Sequence, residues 1–438
     1  MSRAGGPVAV LSRAVLDDDS DALRPFRAGY WFGGFNGLTW MMTFGTPMVL
    51  LLEHLGATTF QVGLVTSSLF VLYPVQVLAT ATLSRLGFQR QMVLAWSVRA
   101  VFLLVPLGIA VYAPVSPAPW MPGAVVAAIF GFCFFRAFGV ACHVPWLAAI
   151  VPDRLRGRYF ATEQAVTSGV GVFALLGCAG LFAALPPYPA FRVVYGVAMF
   201  GSVMAVANLL RLPPGPRPSP SPVREMGPQV LRLCLRAGLF RQFLVLTAVG
   251  AIVGSSSISF TIYFLKTETG IASSNILTFT AAQFAGSILA TWAMRRFIDR
   301  VPIRRFFQIS VVVTGVLYVF WLAVVLGAHG FLDFVLPAFF VVGFAVGVNG
   351  AAHMTFLPEL APPDERPIAI AVFGAVSGVL QGLGPVLWGL VLRPAGDAPG
   401  VDATHFAVFF GVGIALSLVS LQLLRSLPDT RGDARVAV

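Results

Sequence analysis

Arg136 stands inside the apolar stretch 123–146, and Arg99 stands inside another, 91–112. A guanidinium at the centre of a bilayer costs about 2.5–3.5 kcal/mol on insertion scales unless it is paired or hydrated. Each arginine therefore calls for a partner. One candidate is Glu163, the one acid that falls inside a long apolar stretch, as a structural counter-ion of Arg99 or Arg136. The other is an anion from outside, because the planar guanidinium fork fits a carboxylate or a phosphate through two parallel hydrogen bonds. His143, near the end of the stretch that holds Arg136, and His353, near the end of another, could relay protons with Glu163 or could simply cap their helices.

Uncharged polar residues fall at helical spacing. Asn36, Trp40 and Thr43 share one face of a helix, as do Ser255, Ser259 and Tyr263, and again Asn349 and His353. Gln283, and Ser377 with Gln381, add isolated polar groups on other stretches. Such stripes either line a polar pathway or stitch membrane helices together by hydrogen bonds, and spacing alone leaves both readings open. Metal and disulfide chemistry lack their patterns. Cys133, Cys142, Cys178 and Cys234 show neither paired spacing nor a neighbouring histidine cluster. The acids are single and widely spaced, so a membrane-embedded enzyme, for example one that modifies lipids, lacks the cluster it would need. No cofactor is expected.

The whole chain must supply the elements that hold these groups. Of its 438 residues 57% are hydrophobic and only 11% charged, with a mean hydropathy of +0.84. Soluble domains carry about 25% charged residues, so the composition excludes a water-soluble enzyme and implies an all-α integral membrane protein. Twelve stretches have the roughly 20 apolar residues that a spanning helix needs: 29–52, 62–82, 91–112, 123–146, 159–183, 193–211, 240–264, 274–294, 306–326, 333–356, 368–391 and 404–424. Ten-residue alternation, the mark of a membrane barrel, is missing from them. The formal net charge of +11 has an origin other than nucleic-acid binding, because the arginines gather in alternate loops. Arg85 and Arg90 follow span 2; Arg154, Arg156 and Arg158 follow span 4; Arg295, Arg296, Arg300, Arg304 and Arg305 surround the 8–9 loop. Basic loops stay in the cytoplasm, which predicts both termini inside. An Arg-, Ala- and Gly-rich chain without a signal peptide points to the inner membrane of a bacterium.

Residues 212–237 are rich in Pro and Ser and read as a cytoplasmic linker between bundles at 29–211 and 238–425, with tails at 1–28 and 426–438. The halves repeat weakly. Ser84–Arg90 matches Asp299–Arg305, and His143-Val-Pro-Trp-Leu matches His353-Met-Thr-Phe-Leu. An even number of spans separates the copies, so the repeat is parallel, six spans plus six.

With these features the chain resembles the major facilitator superfamily, two six-helix bundles joined by a cytoplasmic linker. The superfamily's G-x-x-x-D-R-x-G-R-R motif after span 2 is matched by Arg85, Gly87 and Arg90, while Thr80 and Ser84 replace the leading glycine and the acid. The copy after span 8 keeps Asp299, Arg300, Arg304 and Arg305, with Pro302 in the glycine position. The segment from Trp146 to Tyr159 is similar to the 4–5 region of bacterial permeases. The resemblance implies a secondary transporter of a small organic solute, an anion among the candidates, that works by rocking of the bundles. It further implies that spans 1, 4, 7 and 10 line the cavity and that the motif residues act as a gate, anchoring of helix ends being the alternative. A monomer in the lipid bilayer is expected, with protons as one candidate for the coupling ion. A proton-coupled exporter, or a translocator of lipophilic compounds or lipids, is the competing reading. Against multidrug exchange, Arg136-Ala-Phe-Gly139 lacks the glutamine of the exporters' R-x-x-Q-G signature, and span 5 lacks their G-x-x-x-G-P.

Overall fold

The structure, a computed structural model, describes residues 23–112, 116–216, 238–297, 301–360, 366–392 and 403–427. The linker at 217–237, the distal tails, Asp299 and Arg300 lie outside these residues. Every regular element among the described residues is helical. Eleven helices are long and apolar enough to cross a membrane, and a bent pair over residues 59–86 supplies the twelfth. They are numbered here as spans 1 to 12: Arg24–His54, residues 59–86, Phe88–Tyr112, Met121–Ile150, Thr162–Ala184, Pro187–Leu210, Leu239–Thr267, Ser273–Met294, Ile303–Val325, Gly330–His353, Phe373–Val391 and Ala403–Arg425.

Three spans of the N-terminal half are interrupted, each close to a proline. Span 1 breaks after Thr43 and restarts at Thr46 with Pro47 in its first turn. Span 2 bends by 56° between Gln76 and Leu78, within a turn of Pro74. Proline removes one intrahelical hydrogen bond and clashes with the carbonyl four residues back, which accounts for such breaks. Span 3 divides between Val101 and Leu104, just ahead of Pro106. Arg99 thereby falls in the last turn of the first piece, where the unpaired carbonyls of a helix C-terminus favour a positive charge.

Between spans 2 and 3 the chain turns at Gly87, whose φ of 74° lies in the region that favours glycine. Within the N-terminal half span 1 packs on spans 5 and 6, and span 3 on span 4; in the C-terminal half span 8 packs on span 10, and span 9 on span 12. The halves meet along spans 2 and 11 and along spans 5 and 8.

The apolar core is shared at one end of the molecule and divided at the other. Met42, Leu50, Val62 and Phe132 belong to a single cluster with Phe260, Leu265, Ile276, Trp321 and Phe409. Two hydrogen bonds tie the halves at this end, Thr46 to Thr280 at 2.7 Å and Thr59 to the Gly389 carbonyl at 3.0 Å. At the opposite end Phe32, Trp96, Trp146 and Tyr159 form a core of the N-terminal half alone. Phe243, Phe307, Phe356 and Leu424 form a separate core of the C-terminal half. A two-body fold with one common core and two private ones can part at the divided end at little cost in buried apolar surface.

Candidate substrate site

The two intramembrane arginines lie in the N-terminal half and are joined by aromatic rings. Arg136, half-way along span 4 and half-buried, places its guanidinium over the Trp40 ring at 4.7 Å. Trp40 stacks on Phe44 and on Phe132, the latter with 6.5 Å between ring centroids. Arg99 sits over the same Phe132 at 4.8 Å and over Trp96 at 4.4 Å. It is only 1% exposed. Its Nη2 donates to Asn36 Oδ1 at 2.7 Å, and Trp96 Nε1 donates to the same oxygen at 3.1 Å. Its Nε, also buried, has no hydrogen-bond partner among the described residues. Cys133 lies within electrostatic reach of both guanidiniums and interacts with Ser68 at 3.4 Å.

Glu163 is the counter-ion of neither arginine, so of the two partners the sequence left open the internal carboxylate is not engaged with them. Its Oε1 lies 2.9 Å from His143 Nε2. The reason is a close helix crossing: a Cβ on Gly33 of span 1 would meet Glu163 Cγ at 3.0 Å and Thr167 Oγ1 at 2.9 Å. The bare Gly33 backbone lets span 5 approach until Glu163 faces the end of span 4, where His143 lies. Among the described residues no carboxylate comes within ion-pair distance of Arg99 or Arg136. Cation–π contacts are worth about 0.5–2 kcal/mol, which at its lower end is well short of the roughly 2.5–3.5 kcal/mol cost of a central arginine. The shelf holds the guanidiniums in place without cancelling their charge.

The other sequence candidates fall in several places. Asn36 and Trp40 join the arginine shelf, while Thr43 is fully buried with its hydroxyl unpartnered. Ser255 returns its hydroxyl to the Ala251 carbonyl of its own helix. Ser259 is half-buried one turn further on. Tyr263 lies within electrostatic reach of Glu53 and Glu268, near the end where the halves share a core. Asn349 donates to Ser310 Oγ at 3.4 Å and so stitches span 10 to span 9. The Gln283 backbone packs against Gly343 of span 10, and its side-chain Oε1 is buried without a hydrogen-bond partner among the described residues. Gln381 is half-buried on span 11, and Ser377 bonds within its own helix. His353 directs Nδ1 at the Asn349 carbonyl, 3.0 Å away, and is surrounded by Phe243, Phe307 and Phe373. It is distant in the fold from His143 and Glu163, which belong to the other half.

Of the motif residues, Arg85 and Arg90 are exposed. Arg304 donates through Nη1 to the Leu427 carbonyl at 3.1 Å, at the end of span 12. Gln89, which the motif does not single out, does the same for span 6 by donating to the Leu212 carbonyl at 2.8 Å.

Residues 244–436 match the family model described as Major Facilitator Superfamily. That match covers the C-terminal part of the chain, and over the rest of the described residues the likeness to the superfamily is one of fold. Three solved structures show the likeness in fold. The D323A mutant of the nucleoside transporter NupG superimposes with a TM-score of 0.74 at 14% identity, over 90% of this chain and 98% of that one. A D-xylose-proton symporter gives 0.66 at 15%, over 94% and 98%. A bacterial homologue of the human lysosomal transporter Spinster, in an inward-facing and unoccupied conformation, gives 0.61 at 15%, over 93% and 97%. No curated protein matches the chain in sequence. The described residues thus share the all-helical, twelve-span fold of those solved transporters.

Proposed function

We propose that the protein is a secondary transporter of a small organic anion and that Arg136 contacts the anion. The observation that carries this reading is the charge at the centre of span 4. The Arg136 guanidinium lies half-buried on the face of Trp40, with no carboxylate within ion-pair distance among the described residues, and Glu163 is engaged by His143. A cation held in that way binds an anion without first breaking an internal salt bridge. Alternating access follows from the core: the shared end is closed by Thr46, Thr59, Thr280 and Gly389, and the divided end opens as the halves rock. The basic loops around Arg85, Arg90 and Arg305 lie at the divided end, which by the positive-inside rule is the cytoplasmic one. On this reading the structure is an inward-facing state of a bacterial inner-membrane permease with both termini inside. The His143–Glu163 contact supports the proton as coupling ion, because it is a titratable pair beside the helices that must move.

The test is a mutant cycle on purified protein. Arg136→Ala abolishes stabilisation by organic anions while the ligand-free melting temperature holds or rises, since no internal partner is stranded. Arg136→Lys keeps the charge and loses the fork, so anion affinity falls about tenfold or more. If Arg136→Ala instead lowers the melting temperature and Glu163→Gln restores it, the arginine is structural and the anion reading fails.

A further inference from the structure

The charge of the site is twice that of the one arginine that meets the pathway. Arg99 and Arg136 stand on the two ends of one aromatic pair, Trp40 and Phe132, and each is within electrostatic reach of the other. Buried like charges repel strongly where water is scarce, and a structural role alone would favour a carboxylate beside them. Glu163 faces His143, and Glu53 stands at the far end of span 1 within electrostatic reach of Lys266. The buried Nε of Arg99 adds an unused donor to the same field. What completes this arrangement is an occupant that brings the missing negative charge with it.

Building on the anion-transport reading, we infer that the substrate is a doubly charged organic anion, a dicarboxylate or a phosphate monoester, and that Arg99 sets this charge preference. Arg136 makes the contact. Arg99, at 1% exposure, does not reach the pathway; it acts as a positioning residue through its field and through Asn36, whose Oδ1 it holds. A monoanion satisfies Arg136 and leaves the second charge unanswered. A dianion answers both, so its advantage grows with the Arg99 charge and shrinks when that charge is removed.

The experiment uses the purified full chain and ligands that differ by one charge on a similar skeleton. Succinate is compared with its monoamide, and methyl phosphate with dimethyl phosphate, at about pH 8 where the monoester is a dianion. Affinity is read from the concentration dependence of the melting temperature. The wild type should bind at least one of the two dianions about tenfold or more tighter than its singly charged analogue, and the two series separate dicarboxylate from phosphate. Arg99→Gln should bring that ratio near one while binding of the monoanion persists, and Arg99→Lys should keep the ratio. Equal wild-type affinities for monoanion and dianion in both series, or an unchanged ratio in Arg99→Gln, would overturn the inference while leaving the anion reading in place. No stabilisation by any of the four ligands would overturn both. Because the wild-type ratio is itself decisive, a poorly folding Arg99→Gln does not block the test.

Discussion

Two ring clusters sit at corresponding places in the two halves. In the first, Phe32 of span 1 touches Trp96 of span 3 and His143 of span 4, and Glu163 of span 5 completes the group. In the second, Phe243 of span 7 touches Phe307 of span 9 and His353 of span 10, and Phe373 of span 11 completes it. The fifth helix of each half thus offers a carboxylate in one case and a phenyl ring in the other. The same contrast runs through the arginine shelf. Asn36 follows Phe32 at the interval at which Thr247 follows Phe243, and Arg99 follows Trp96 as Ser310 follows Phe307. Arg136 and Val346 stand equally far ahead of the two histidines. One scaffold, used twice, carries intramembrane charge in the N-terminal half and uncharged residues at the equivalent positions of the C-terminal half. On the proposed reading the chemistry is concentrated in one body, and the second serves as the surface against which it moves.

The largest contrast in stability should come from the aromatic hubs. Phe243 is fully buried and in ring contact with His353, Phe307, Phe356 and Phe373. Phe243→Ala should cost about 3–5 kcal/mol, the range for deleting a packed phenyl group. Phe32 is as well buried but borders the polar His143–Glu163 contact, where water can enter the space left behind. Phe32→Ala should therefore cost about 1 kcal/mol less. Unfolding midpoints of the two variants in the same detergent decide it, and equal losses would remove the distinction between a wet and a dry cluster.

A smaller effect on stability, with a larger one on function, belongs to the closing residue. Glu163→Gln removes the charge from a contact that lies at ion-pair distance but falls short of hydrogen-bond geometry, at a cost of about 1 kcal/mol. Around that carboxylate stand His143, Gly33, Thr167 and, within electrostatic reach, Tyr159; Phe32 packs on the histidine ring. If the pair carries the coupling proton, transport into vesicles loses its pH dependence in Glu163→Gln and keeps it in Phe373→Leu. A Glu163→Gln protein with the wild-type pH profile would assign the contact to structure alone.

The spans were legible from the sequence because burial in lipid demands long apolar runs, and nothing local obscures them. Arg99 and Arg136 stood out for the same reason: a charge is conspicuous in such a run. Their surroundings were not legible. Trp96 and Phe132 are two aromatic residues in a chain with 38 Phe and 8 Trp, and only the packing of spans 1, 3 and 4 shows that they carry a guanidinium. Pairing Glu163 with an arginine was reasonable on charge, but partner choice depends on helix crossings. The bare Gly33 brings span 5 toward the end of span 4, and the basic side chain it meets there is His143. For Asn349 the sequence left pathway lining and helix stitching open, and in three dimensions it donates to Ser310, because a stripe on one helix face does not say which neighbour that face meets.

The smallest effect concerns the loop motif, where the comparison of halves changes its meaning. In the aligned copies Gln89 and Arg304 occupy the same place. Both donate to carbonyls just beyond the last helix of their half, Gln89 to Leu212 at 2.8 Å and Arg304 to Leu427 at 3.1 Å. A helix leaves its last carbonyls without intrahelical donors, and a side chain from the neighbouring helix supplies one, so these two positions secure the ends of spans 6 and 12 within each half. Gln89→Ala and Arg304→Ala should each lower stability by about 1 kcal/mol, with the arginine the costlier because its donor is charged. Arg304→Gln should recover most of the loss, since glutamine already does the same work at position 89. A gating role predicts something else: Arg304→Ala would change the labelling of cysteines placed along the pathway, and Arg304→Gln, which loses the charge, would change it as much. Equal labelling of wild type and both variants, alongside the graded stability loss, assigns this arginine to holding its own half together.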